Sequence, residues 1–124
     1  MKLAANALLA IQVTAIAETL VALDKSGIPP KRALEIISTL PVMSPAGNGF
    51  AALMVAGDYA PRFTAALIAK DLRYAVAEAA EAKVPVLEAA RGVFDALCAK
   101  GLGARTSALP SRPIATDLSP RKHA

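Results

Sequence analysis

The sequence is poor in the residues that most often announce a chemistry. Trp is absent, aromatic residues make up 4% of the 124 positions, and there is one Cys and one His. Without a second thiol, Cys98 closes no intrachain disulfide. Its apolar neighbours at helical spacing suit a small buried side chain better than a reactive thiol. A chain with no disulfide framework fits a reducing cytoplasm. His123 has no partner at metal-ligand spacing, so no metal site is expected. No G-x-G-x-x-G is present, which excludes a self-contained pyrophosphate turn within these residues. Long period-two alternation is also missing. Ala and Leu dominate a chain that is 55% hydrophobic, and that balance favours packed helices over a sheet. The expected fold is a single all-α domain.

The net charge of +4 invites a nucleic-acid reading, but its distribution argues against one. Beyond Gly101 the charged residues are Arg105, Arg112, Asp117, Arg121 and Lys122, so the excess positive charge sits mostly in the tail. No aromatic is interleaved with these cations, and a solvated tail is the simpler account. No nucleic-acid partner is expected.

Five helices can be read. The first spans about 2–25 and is apolar nearly all round (Leu8, Leu9, Ile11, Val13, Ile16, Leu20, Leu23), a pattern of helices buried on several sides. Ser26-Gly27 stops it. Pro29-Pro30 opens a second helix, with Ala33, Ile36, Ile37 and Leu40 as its buried stripe and Pro41 as its end. Pro45, Gly47 and Gly49 predict a loop, followed by a short helix with Phe50, Leu53 and Met54 on one face, closed by Gly57. Thr64 caps a fourth helix running to about Ala82, with Ile68, Leu72, Ala75, Val76 and Ala79 inward. A fifth carries Leu87, Ala90, Phe94, Leu97 and Cys98 to a stop at Gly101. Residues 1–109 form the helical domain. Residues 110–124, punctuated by Pro110, Pro113 and Pro120, are expected to be a flexible basic tail.

The first segment also has the outline of a secretory signal, with Ala15-Ile16-Ala17 as a small-x-small cleavage pattern. Asn6, Gln12 and Thr14 interrupt the apolar stretch, and helical periodicity continues past Ala17. Gln12 and Glu18 count against a membrane span, so no membrane partner is expected.

Two pairs of residues stand out as candidates for chemistry. Lys2 and Asn6 are four apart and project from one helix face. A Lys in a dry cleft can act as general acid or base, because desolvation favours its neutral form. A neighbouring amide can hold a substrate carboxylate or hydroxyl. A solvated first turn accounts for the same spacing. Lys70-Asp71 lies mid-helix between Ile68 and Leu72. Three and four residues from Lys70 stand Ala66, Leu67, Arg73 and Tyr74, with no acid. Around Asp71 stand Leu67, Ile68, Tyr74 and Ala75, with no base. Charges without intrahelical partners in an apolar helix are unusual, although a solvated face again suffices.

The order of short motifs resembles the C-terminal domain of the β-hydroxyacid dehydrogenases, the family of 3-hydroxyisobutyrate dehydrogenase. Lys2-Leu3-Ala4-Ala5-Asn6 is similar to that family's Lys-x-x-Asn-Asn. Ala17-Glu18, Gly27-Ile28-Pro29-Pro30, Gly57-Asp58-Tyr59, Phe63, Lys70-Asp71-Leu72, Val84-Pro85, Gly101-Leu102-Gly103 and Ser107-Ala108-Leu109 follow in the family's order, covering residues 2–109. The resemblance implies that Lys2 is the catalytic proton donor and acceptor and that Asn6 positions the substrate, with Phe63 lining the cleft. It further implies that Lys70 reaches the cofactor, NAD or NADP, and that Asp71 orients Lys70. It also implies a small hydroxy acid substrate, a homodimer, and a Rossmann domain that supplies the nucleotide site. Ala5 departs from the first motif Asn, and an Asp usual in the Gly-x-Gly…Ser-Ala-Leu segment is missing. Without a nucleotide-binding domain the isolated chain is expected to be inactive. The competing expectations are a stand-alone helical dimerisation or interaction module and an exported protein cleaved after Ala17.

Overall fold

The computed structural model describes residues 1–58 and 64–103. Within them lie five helices, α1 (Lys2–Lys25), α2 (Pro30–Ile37), α3 (Pro45–Ala56), α4 (Ala65–Glu78) and α5 (Pro85–Ala99). The all-α expectation holds for these residues. The expected tail at 110–124 lies outside them.

The centre is α1, which packs against each of the other four helices. Its buried residues are Ala7, Ala10, Val13, Ile16, Ala17 and Leu20, at spacings of three and four that make one continuous stripe. The apolar residues beyond that stripe do not all find cover, and Leu8 is 62% exposed. By length and composition alone α1 would also suffice to cross a membrane. Around α1 the core is completed by Ala33, Ala51, Ala65, Ile68, Ala69, Leu72, Ala90, Phe94 and Leu97, with Met54 beneath α3. Small side chains recur at the contacts between helices, and small contacts let helix axes approach closely.

Three boundaries differ from those expected, each for a local reason. Helix α2 ends at Ile37, not at Leu40, which is 43% exposed. The hydroxyls of Ser38 and Thr39 bond back to the carbonyls of Glu35 (3.3 Å) and Ile36 (2.7 Å), and the residue before Pro41 is pushed away from helical geometry. Helix α3 begins at Pro45, inside the expected loop. Pro45 occupies a first-turn position, and the Ser44 hydroxyl accepts from Gly47 N–H at 2.9 Å. Gly47 is buried, and a Cβ there would lie 3.0 Å from Ser44 Oγ and 3.2 Å from Ile16 Cδ1. Its glycine serves the approach of α3 to α1, not a loop. Helix α4 stops at Glu78, short of Ala82, because Ala80 takes a left-handed φ of 53° to reverse the chain toward α5.

The N-terminus of α4 matters for the site. Thr64 caps it, its hydroxyl accepting from Leu67 N–H at 3.3 Å, as the sequence predicts. Ala66 N–H donates to the Gly103 carbonyl at 2.8 Å. The strand of chain leaving α5 therefore satisfies a second unpaired donor of α4.

Candidate active site

Asn6 and Asp71 stand 65 residues apart in sequence, yet the Asn6 amide Nδ2 donates to Asp71 Oδ2 at 2.6 Å. Both residues are half-buried. The bond closes one end of the seam where α1 meets α4. A hydrogen bond to a carboxylate is shorter and stronger than a neutral one, so this contact fixes both the axial register of the helices and the Asn6 rotamer.

Lys2 lies one turn before Asn6 and Lys70 immediately before Asp71, so all four residues sit on the same stretch of the α1–α4 pair. Both lysines are exposed, and neither forms an ion pair or side-chain hydrogen bond among the described residues. The dry surroundings expected for Lys2 are therefore not supplied by the described part of the chain. The hydrogen bond made by Asp71 also differs from the expected partnership: it runs to Asn6, and none forms with Lys70. Adjacent helical residues project about 100° apart, which lets Asp71 turn inward while Lys70 faces water. Phe63 lies outside the described residues.

Two clefts lined by described residues lie away from this group. One of about 260 Å³ runs between α1 and α2, with Gln12, Ile16, Thr19, Ile37, Leu40 and Met43 around it. A second, about 180 Å³, separates α1 from α5 beside Glu18, Val86 and Val93. Both are mainly apolar, and neither gathers groups suited to proton transfer. Of the four residues, Asn6 and Asp71 are brought together, while Lys2 and Lys70 stand beside them in sequence with their side chains exposed.

Comparison with solved structures gives the same architecture. The 3-hydroxyisobutyrate dehydrogenase of Salmonella typhimurium superposes with a TM-score of 0.81 at 22% identity, over 90% of this chain and 40% of that one. The Mycobacterium tuberculosis 3-hydroxyisobutyrate dehydrogenase, solved with L-serine, gives 0.81 at 23% identity over 91% of this chain and 42% of its own. The chain therefore spans about two-fifths of the length of these enzymes. Comparison with curated proteins finds none that matches. The family model for the NAD-binding region of NADP-dependent 3-hydroxyisobutyrate dehydrogenase matches residues 1–112. The chain belongs to that family, the β-hydroxyacid dehydrogenases, as its helical C-terminal-type region.

Proposed function

We propose that this chain forms the helical, substrate-facing half of an NAD(P)-dependent oxidoreductase that interconverts a small 3-hydroxy acid and its carbonyl counterpart. The observation that carries the reading is the 2.6 Å bond from Asn6 to Asp71. It joins the two sequence motifs whose separate spacings said nothing of each other.

Lys2 then moves the proton. In the oxidative direction its amine takes the hydroxyl proton as the C–H bond breaks, and in reduction its ammonium returns that proton to the carbonyl oxygen. General acid–base catalysis of this kind contributes roughly 10²–10⁴-fold. Asn6 holds the reacting group one turn from Lys2. Lys70, exposed and without an ion pair among the described residues, meets the negatively charged part of the cofactor. The nicotinamide, when bound, exchanges a hydride with the carbon that carries oxygen. The residues present fit only that end of a dinucleotide. The described helices offer a cation but no glycine-rich turn for a pyrophosphate, so a nucleotide-binding domain completes the site and covers the face now in water. Phe63 is assigned to the same cleft by resemblance alone. A cytoplasmic location and a homodimer belong to this proposal as well.

The test is hydride transfer, followed at 340 nm, by the chain joined to or mixed with a family nucleotide-binding domain. Activity with 3-hydroxyisobutyrate should appear only with both parts, and Lys2→Ala should remove at least 10²-fold of kcat. Retained activity in Lys2→Ala would overturn its assigned role. A second reading, a helical dimerisation module, is favoured by the exposed Leu8, Leu40, Val42 and Val86. It predicts a dimer in sedimentation velocity with no turnover in any combination.

A further inference from the structure

The cleft between α1 and α5 offers a ligand side-chain hydrogen-bond acceptors and no side-chain donor. Its polar residues are Thr14 and Glu18, and the rest of its wall is apolar, with Ile11 and Ala15 from α1 opposite Val86 and Val93 from α5. The Thr14 hydroxyl has one proton, and it goes to the Ala10 carbonyl at 2.9 Å. What Thr14 has left to offer is its lone pairs. A glutamate carboxylate only accepts. Glu18 is exposed and makes no ion pair or hydrogen bond among the described residues. Its helical neighbours three and four positions away are Thr14, Ala15, Val21 and Ala22, none of them a base. Ala17-Glu18 is also one of the motifs that the proposed reaction leaves without a task.

Thr14 and Glu18 are one helical turn apart, so they share a face of α1 with Cβ atoms about 5–6 Å from each other. A primary ammonium is their complement, since it carries three donors, no acceptor and a positive charge. An aliphatic stem attached to it can lie along the apolar wall, as the stems of long cationic side chains do. The cleft measures about 180 Å³, below the roughly 300–1,000 Å³ of sites for drug-sized ligands, which suits a short chain. We propose that the α1–α5 cleft binds a small primary alkylamine, with its ammonium between Thr14 and Glu18 and its stem against Ile11, Val86 and Val93. A carboxylate of the same length is repelled by Glu18, and an alcohol forfeits the ion pair. The site goes beyond the dehydrogenase reading and does not rest on it. Glu18 follows Lys2 by sixteen positions on one continuous helix, roughly 24 Å at 1.5 Å per residue, so a ligand held there stands clear of Lys2.

The test is a titration of the full chain, its Ile and Val methyl groups labelled with ¹³C, with n-pentylamine at fixed pH and ionic strength. Saturable shifts should centre on the methyls of Ile11, Val86 and Val93, with a dissociation constant of roughly millimolar order for so open a cleft. Each methylene removed from the amine should weaken binding about two- to fourfold. Pentan-1-ol, which keeps the stem and loses the charge, and pentanoate, which reverses it, should each bind at least about threefold more weakly. Glu18→Gln keeps the shape and cannot hold the charge. It should weaken n-pentylamine about three- to fivefold and leave pentan-1-ol unchanged. Thr14→Val is nearly isosteric, removes one acceptor, and should weaken the amine about twofold or more. Circular dichroism checks that both variants fold. Absence of saturable methyl shifts, or shifts centred elsewhere on the molecule, would overturn the site. So would pentan-1-ol bound as tightly as the amine, or an amine affinity unchanged in either folded variant.

Discussion

Asn and Asp are short, so a 2.6 Å bond between them across two helices leaves little room for adjustment. Removing one partner strands the other in a half-buried seam. Asp71→Ala should lower the unfolding free energy by about 1–3 kcal/mol, measured by urea denaturation. The contrast is Phe94, fully buried at the centre. Phe94→Ala should cost about 3–5 kcal/mol and leave the site chemistry alone in whatever fraction stays folded. These residues differ in how well the sequence disclosed them. Phe94 was legible from its place on the apolar stripe of α5. The Lys2–Asn6 and Lys70–Asp71 pairs were legible only as oddities. Helical spacing relates residues three and four apart and cannot say that position 6 meets position 71, so family resemblance alone placed them in one cleft. It did not disclose that Asp71 serves Asn6, because that depends on how far each side chain projects toward the other helix.

At the scale of the element, the helix ends are where local chemistry and tertiary demand can be told apart. The extents of α1 and α5 and the Thr64 cap followed from the apolar period, the prolines and a hydroxyl in the right place. The start of α3 and the end of α4 did not, since they answer to neighbours. The Ser44 hydroxyl accepts from Gly47 N–H and donates to Gln12 Oε1 at 2.5 Å, so one side chain both caps α3 and ties it to α1. Ser44→Ala should therefore cost about 1–2 kcal/mol in a chemical denaturation curve. At the other end, no glycine was available for the reversal after α4, and Ala80 bears a positive φ of 53°. Glycine escapes the steric penalty there. Ala80→Gly should raise stability by about 1 kcal/mol, seen as a melting temperature several degrees higher. Substituting the neighbouring Ala77 by Gly, within the helix, should have the opposite sign.

At the scale of the whole molecule, α1 is both the scaffold and the carrier of Lys2 and Asn6. Every other helix rests on it, so a change in its packing is felt at its first turns. The core along this helix is built largely from alanine, with Ala7 and Ala10 on α1 and Ala65 and Ala69 on α4 all buried. Alanine brings helix axes near the short end of the usual 8–10 Å range, and only at such a separation can side chains as short as Asn and Asp touch. Ala69→Leu should cost about 1–3 kcal/mol through crowding. Its more telling effect should be loss of the downfield shift that the Asp71 carboxylate gives one Asn6 side-chain NH₂ proton in ¹⁵N-edited spectra, although Leu bears no polar atom and stands two residues from Asp71. Residues without a functional group thus act as a ruler for those that have one. Drift at these alanine positions toward bulkier side chains would part Asn6 from Asp71 before it erodes folding, so the tolerance of this domain to mutation should be lopsided: forgiving on its charged exterior, unforgiving wherever one extra methylene parts the two helices.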